Sequence, residues 1–103
     1  MSALAVHLST FLREHLPLER RASIHTCETY AYAFQLLVCF AADNLKTLPS
    51  ALEIEQLNAP LILQFLRHLE ITRQCGPKTR KARLVAMKAF FRYLEYRAVS
   101  CLA

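Results

Sequence analysis

The chain has 103 residues, of which 54% are hydrophobic, with eighteen Leu, six Phe, four Tyr and a single Gly. That is enough for one helical core and too little for a second core of ordinary size or a loop-rich fold, and it excludes a disordered chain. The formal charge of +5 is segregated: residues 1 to 66 hold four Lys/Arg against six Asp/Glu, net −2, and residues 67 to 103 hold nine against two, net +7. A basic last third points to an anionic partner, nucleic acid before others.

Leu4, Leu8, Phe11/Leu12 and Leu16 recur at three- and four-residue steps, so Ala3 to Leu16 reads as a first amphipathic helix that stops at Pro17. After a charged connection, Leu18 to Ala22, Ser23 stands as the N-cap of a second helix. Its inward face is Cys27, Tyr30, Ala31, Phe34, Leu37, Val38, Ala41 and Leu45, and its later turns look buried nearly all round. His25, Glu28, Thr29 and Tyr32 lie opposite, open to solvent or ligand.

Asp43 to Asn58 reads as a linker with one irregular turn. Asn58 caps a third helix with Pro60 in its first turn and a buried line of Ile62, Phe65/Leu66 and Leu69, running out near Thr72. Cys75, Gly76 and Pro77 punctuate the chain, with Gly76 suited to a helix C-cap. A fourth helix of about five turns starts at Lys78, with Ala82, Val85, Ala86, Ala89, Phe90 and Tyr93 inward. On its far side Lys81, Lys88 and Arg92 fall within about 40° of one another, and Arg80 and Arg83 are offset from them. Four helices without a strand give an all-α fold, a small orthogonal or irregular bundle.

Little else carries chemistry. Tyr30 to Ala42 is broken by Gln35 and shorter than the roughly 20 residues of a bilayer crossing, so no membrane role is expected. Cys27, Cys39, Cys75 and Cys101 follow no secretory signal and sit in or beside helical patterns, which reads as a cytoplasmic protein with free thiols. No C-x2-C spacing suggests a metal, and the lone Gly76 makes no phosphate loop, so no cofactor is expected. Arg67, Arg73, Lys78, Arg80, Lys81, Arg83, Lys88, Arg92 and Arg97 remain, with Thr79 and free N–H groups opening the fourth helix. A helix of that width fits the DNA major groove, where arginine and lysine hold phosphates and read base edges. An acidic protein partner of a helical interaction module is the alternative.

Two segments resemble a known family. Ser23-Ile24-His25-Thr26-Cys27-Glu28-Thr29-Tyr30 is similar to the Ser-x-Asn-Thr opening and following Tyr of the second helix in the N-terminal, core-binding domain of tyrosine recombinases, the phage-integrase SAM-like domain. Phe65-Leu66-Arg67-His68-Leu69-Glu70, Thr79-Arg80, Arg83-Leu84 and Phe90-Phe91-Arg92-Tyr93-Leu94 resemble the "FL..LE…TR..RL.A…FFRYL" run of integrases from insertion sequences and integrative elements. The likeness extends from about residue 4 to 98.

The resemblance implies a SAM-like bundle of four to five helices that clamps one side of double-stranded DNA. It also implies a separate C-terminal catalytic domain, absent from these residues, that would make the full protein a site-specific recombinase and leave this domain without catalysis. Arg83 and Tyr93 accordingly receive no catalytic role. The family's second and fourth helices approach the major groove, which implies DNA contacts from His25, Thr26, Thr29 and Tyr32, and from Lys78, Thr79, Arg80, Lys81, Arg83 and Lys88. The charge pattern itself adds Arg92. His25 replaces the family's usual Asn. The first helix and the tail, with Val99 and Leu102, are expected to pack between protomers of a homo-oligomer on DNA.

Overall fold

The computed structural model describes residues 3–102, with side chains through residue 97. Helix α1 (Leu4–Thr10) passes without a break into a π-helical segment (Phe11–Glu19), and together they bury Leu4, Leu8, Phe11 and Leu16. The apolar stripe is the expected one, but the stop at Pro17 is not. In an α-helix the proline ring would meet the carbonyl four residues back and the 17 N–H would be missing from the ladder. The wider π turn moves that carbonyl aside, so the helix runs through Pro17 and ends when Arg20 N–H reaches His15 O at 2.8 Å.

Helix α2 (Ile24–Leu45) starts as its sequence dictates, with the Ser23 hydroxyl accepting from Thr26 N–H at 3.1 Å. Its buried residues are Ala33, Phe34, Leu37, Ala41 and Ala42. Cys27, Tyr30 and Val38 are half-buried, whereas Ala31 and Leu45 are exposed. Nor are the later turns covered all round, because Gln35 and Cys39 face outward. The helix ends in a Schellman turn: Lys46 adopts φ 53° and Thr47 N–H donates to Ala42 O at 3.0 Å.

The connection that follows is more ordered than a linker. Two 3-10 turns, Pro49–Ala51 and Ile54–Gln56, bracket Leu52, which is fully buried with Leu57 close behind. Leu4 N–H donates to Leu52 O at 3.0 Å, tying this segment to the start of α1.

In α3 (Ala59–Ile71) the Asn58 side chain accepts from Leu61 N–H at 3.0 Å, and Pro60 sits in the first turn. The buried line is Leu61, Phe65 and Leu69, four residues apart, with Ile62 and Leu66 half-buried at its edge. The turn after α3 is made by Gln74 at φ 54°, which lets Cys75 N–H reach Leu69 O at 2.8 Å. Gly76, expected to supply the left-handed residue, does not adopt a positive φ.

Helix α4 (Pro77–Leu102) buries Ala86, Met87, Phe90 and Tyr93. Ala82 and Val85, expected inward, are exposed. The buried face is turned about 60° from the expected one, because the apolar stems of Arg80 and Arg83 lie half-buried on its inward shoulder. Phe90 is the hub of the core, its ring centroid 5.3 Å from Phe11 and 5.4 Å from Phe34. Phe40 of α2 packs its ring, tilted, against α3, 5.6 Å from Phe65 and 5.0 Å from His68. The result is an all-α bundle in which α2 touches every other long element. Among the described residues no helix is long and apolar enough to cross a membrane. Val99 and Leu102, expected at a contact between protomers, lie outside the described side chains.

Candidate nucleic-acid interface

From Ile71 to Leu94 the chain carries seven Lys/Arg and no Asp/Glu. Folding leaves Arg73 in the turn before α4 and distributes the other six cations over two edges of that helix. Lys81, Lys88 and Arg92 are all exposed and form the outward stripe their spacing predicts, with Lys78 exposed in the first turn. Arg80 N–H closes that turn on Gly76 O at 3.1 Å, so Lys78 and Thr79, the latter half-buried, offer the free backbone donors of the helix start.

Arg83 is set about 160° around the helix from Lys81 and is half-buried against α2. Its guanidinium carbon lies 5.1 Å from the centroid of the Tyr32 ring. Arg73, in the turn between α3 and α4, donates from Nη2 to the Tyr32 hydroxyl at 3.3 Å. Tyr32 therefore collects one arginine on its ring and another on its oxygen. Arg80 takes a different partner, Glu70, at 3.5 Å, an ion pair open enough to water to contribute little. The Nε atoms of Arg80 and Arg83 are both buried without a hydrogen-bond partner among the described residues.

The first turns of α2 are less free than their sequence suggests. His25 is exposed. Thr26 is half-buried, its N–H given to Ser23 and its oxygen accepting from the Ser23 hydroxyl at 3.0 Å. The Thr29 hydroxyl donates to His25 O at 2.8 Å, leaving only its oxygen lone pairs for a ligand. Thr26 and Arg92 do share a cleft of about 550 Å³ between the π segment, α2 and α4, which His15, Glu19, Arg20 and Tyr96 also border.

Of the eleven residues picked from the sequence, the fold thus joins Tyr32 with Arg83 and Thr26 with Arg92, and aligns Lys81 and Lys88 with Arg92. His25 and Thr29 stay on α2 with no described hydrogen bond to α4. Arg73 is the member the sequence reading did not pick. Its only signal was membership of the basic run, since nothing local says that the turn folds it back onto α2. Among the described residues no three His, Cys, Asp or Glu come together as a metal site. What the arrangement can do is bind an extended anion.

A helical bundle with a basic last helix and a Ser-capped second helix is the architecture expected of an integrase N-terminal domain. Residues 8–98 match the family of the phage integrase N-terminal SAM-like domain, and the chain belongs to that family. This is the family's N-terminal domain and not its catalytic one. Two proteins of Sinorhizobium fredii whose names carry the description integrase/recombinase are similar: y4rC, 38% identical over 92% of this chain, and y4rD, 40% identical over 88% of it. The matched stretches make up 29% and 32% of those relatives, so the chain spans about a third of their length. No solved structure matches the chain.

Proposed function

We propose that this chain is the core-binding domain of a site-specific tyrosine recombinase. It clamps duplex DNA through α2 and α4 while a catalytic domain of the same protein cleaves and rejoins the strands. The protein works in the cytoplasm, with several copies assembled on the target. The observation that carries the proposal is the run from Ile71 to Leu94, with seven cations and no carboxylate, in a chain of this family. A bundle surface of that charge gains affinity for DNA by releasing the counterions condensed on the phosphates. Support also comes from the integrase/recombinase relatives, in which the matching segment is about a third of a longer protein.

The test is charge reversal on the outward stripe. Lys81→Glu with Lys88→Glu should abolish retardation of duplex DNA and leave the melting temperature almost unchanged, since each exposed charge contributes about 0 to 1 kcal/mol to folding. Unchanged DNA binding in the double variant, with loss of an acidic protein partner instead, overturns the proposal in favour of a protein-interaction module.

A further inference from the structure

Tyr32 holds two arginines that come from different parts of the chain, Arg73 through its hydroxyl at 3.3 Å and Arg83 over its ring at 5.1 Å. Two like charges drawn to one phenol repel each other, and an anion between them would relieve that repulsion. None is supplied by the fold: among the described residues the ion pairs are His15 with Glu19 and Arg80 with Glu70, so no carboxylate comes within 4.0 Å of either guanidinium. Asp43 borders the same surface hollow as Arg73 but lies beyond that distance. Arg83 moreover keeps its Nε buried without a hydrogen-bond partner among the described residues, so its terminal Nη atoms are the donors left to meet a ligand. Tyr32 itself remains 44% exposed and Arg73 is exposed, so the pair is open to a ligand from solvent.

We infer that Tyr32 is a positioning residue that holds Arg73 and Arg83 as a two-guanidinium clamp for one backbone phosphate of duplex DNA. The inference rests on the DNA-binding proposal and adds to it a residue, Arg73, and a division of labour: the arginines touch the phosphate and Tyr32 orients them. Guanidinium is suited to this because its planar fork can give two parallel N–H donors to a phosphate, and holding it in place beforehand lowers the ordering cost of binding.

Binding of the chain to a short labelled duplex, measured across a range of salt, tests the clamp. Tyr32→Phe keeps the ring under Arg83 and every charge, and removes only the hydroxyl that holds Arg73. It should weaken binding by about three- to tenfold, the worth of one hydrogen bond, with an unchanged salt slope. Arg73→Gln should weaken binding and also lower the slope by about one. The double variant should bind no worse than Arg73→Gln, because the hydroxyl acts through Arg73. Wild-type affinity in Tyr32→Phe, or losses that add in full in the double variant, would overturn the clamp. If Lys81→Gln and Lys88→Gln weaken binding while Tyr32→Phe does not, the clamp fails and DNA binding stands. If the unaltered chain does not bind duplex at low salt, both fail.

Discussion

Phe90→Ala should unfold this bundle more effectively than any other single truncation in α4. Phe90 is fully buried, and its ring meets Phe11 from the π segment at 5.3 Å, Phe34 from α2 at 5.4 Å and Tyr93 from its own helix at 6.3 Å. Truncation removes the ring and leaves a cavity at the meeting of three elements, where no single neighbour can move in to fill it. Losses of this kind run about 3 to 5 kcal/mol, and the edge-to-face contacts with Phe11 and Phe34 place this one toward the upper end. Against a total stability of about 5 to 15 kcal/mol, that is a large fraction. With a urea slope of about 1 to 1.5 kcal/mol/M for a domain of this size, the midpoint should fall by about 3 to 5 M. Phe90→Leu keeps the measurement readable if the alanine variant does not fold, with an expected loss of about 1 to 2 kcal/mol. The adjacent Phe91 is half-buried, and the aromatic ring it meets is Phe90 at 5.9 Å, so Phe91→Ala should cost about 1 to 2 kcal/mol. Equal losses at the two positions would refute the assignment of the inward face.

Two backbone positions give further checks by urea or thermal melt. Lys46 holds a left-handed φ of 53° at the end of α2, a conformation in which the lysine Cβ crowds the backbone and glycine, having no Cβ, does not, so Lys46→Gly should raise stability by about 0.5 to 1 kcal/mol, and a lower melting temperature would contradict the Schellman geometry. Ser23→Ala removes the cap that accepts from Thr26 N–H at 3.1 Å and should lower stability by about 1 kcal/mol, whereas no change would mean that water replaces the cap without penalty.

Much of this fold was legible because short-range chemistry decides it. Ser23 and Asn58 cap the helices their sequence neighbours suggest, and the Leu4, Leu8, Phe11, Leu16 stripe is buried as its spacing requires. The failures fall where a distant contact or an uncommon local backbone conformation decides. Leu52 looks like a linker residue until Leu4 N–H is found on its carbonyl. The π segment carries the chain through Pro17, a solution too rare to be expected from a helical pattern. Gln74 takes the turn conformation expected of Gly76, since the glycine stands two residues too late to close α3.

At the interface the same division holds. The outward stripe of Lys81, Lys88 and Arg92 follows from helical spacing alone and is exposed as expected. Arg83 has the composition of that stripe but lies on the other side of the helix, where only the packing of α4 on α2 brings it to Tyr32. Arg73 is harder still, because its bond to Tyr32 spans 41 residues of sequence. Counting charges finds the basic segment, and packing decides which of its members work together.

The most direct measurement is the affinity of the chain for duplex DNA as a function of salt. Among the described residues, Arg73, Lys78, Lys81, Arg83, Lys88 and Arg92 are the cations between Ile71 and Leu94 without a carboxylate partner. Four to six phosphate contacts from that set give a slope of about −4 to −5 in log affinity against log salt, a weakening of roughly 250- to 1,000-fold between about 50 and 200 mM. Binding that falls with that slope is the predicted result. Absence of binding at the low end, or affinity unchanged across the range, would contradict the assignment of this basic segment to DNA.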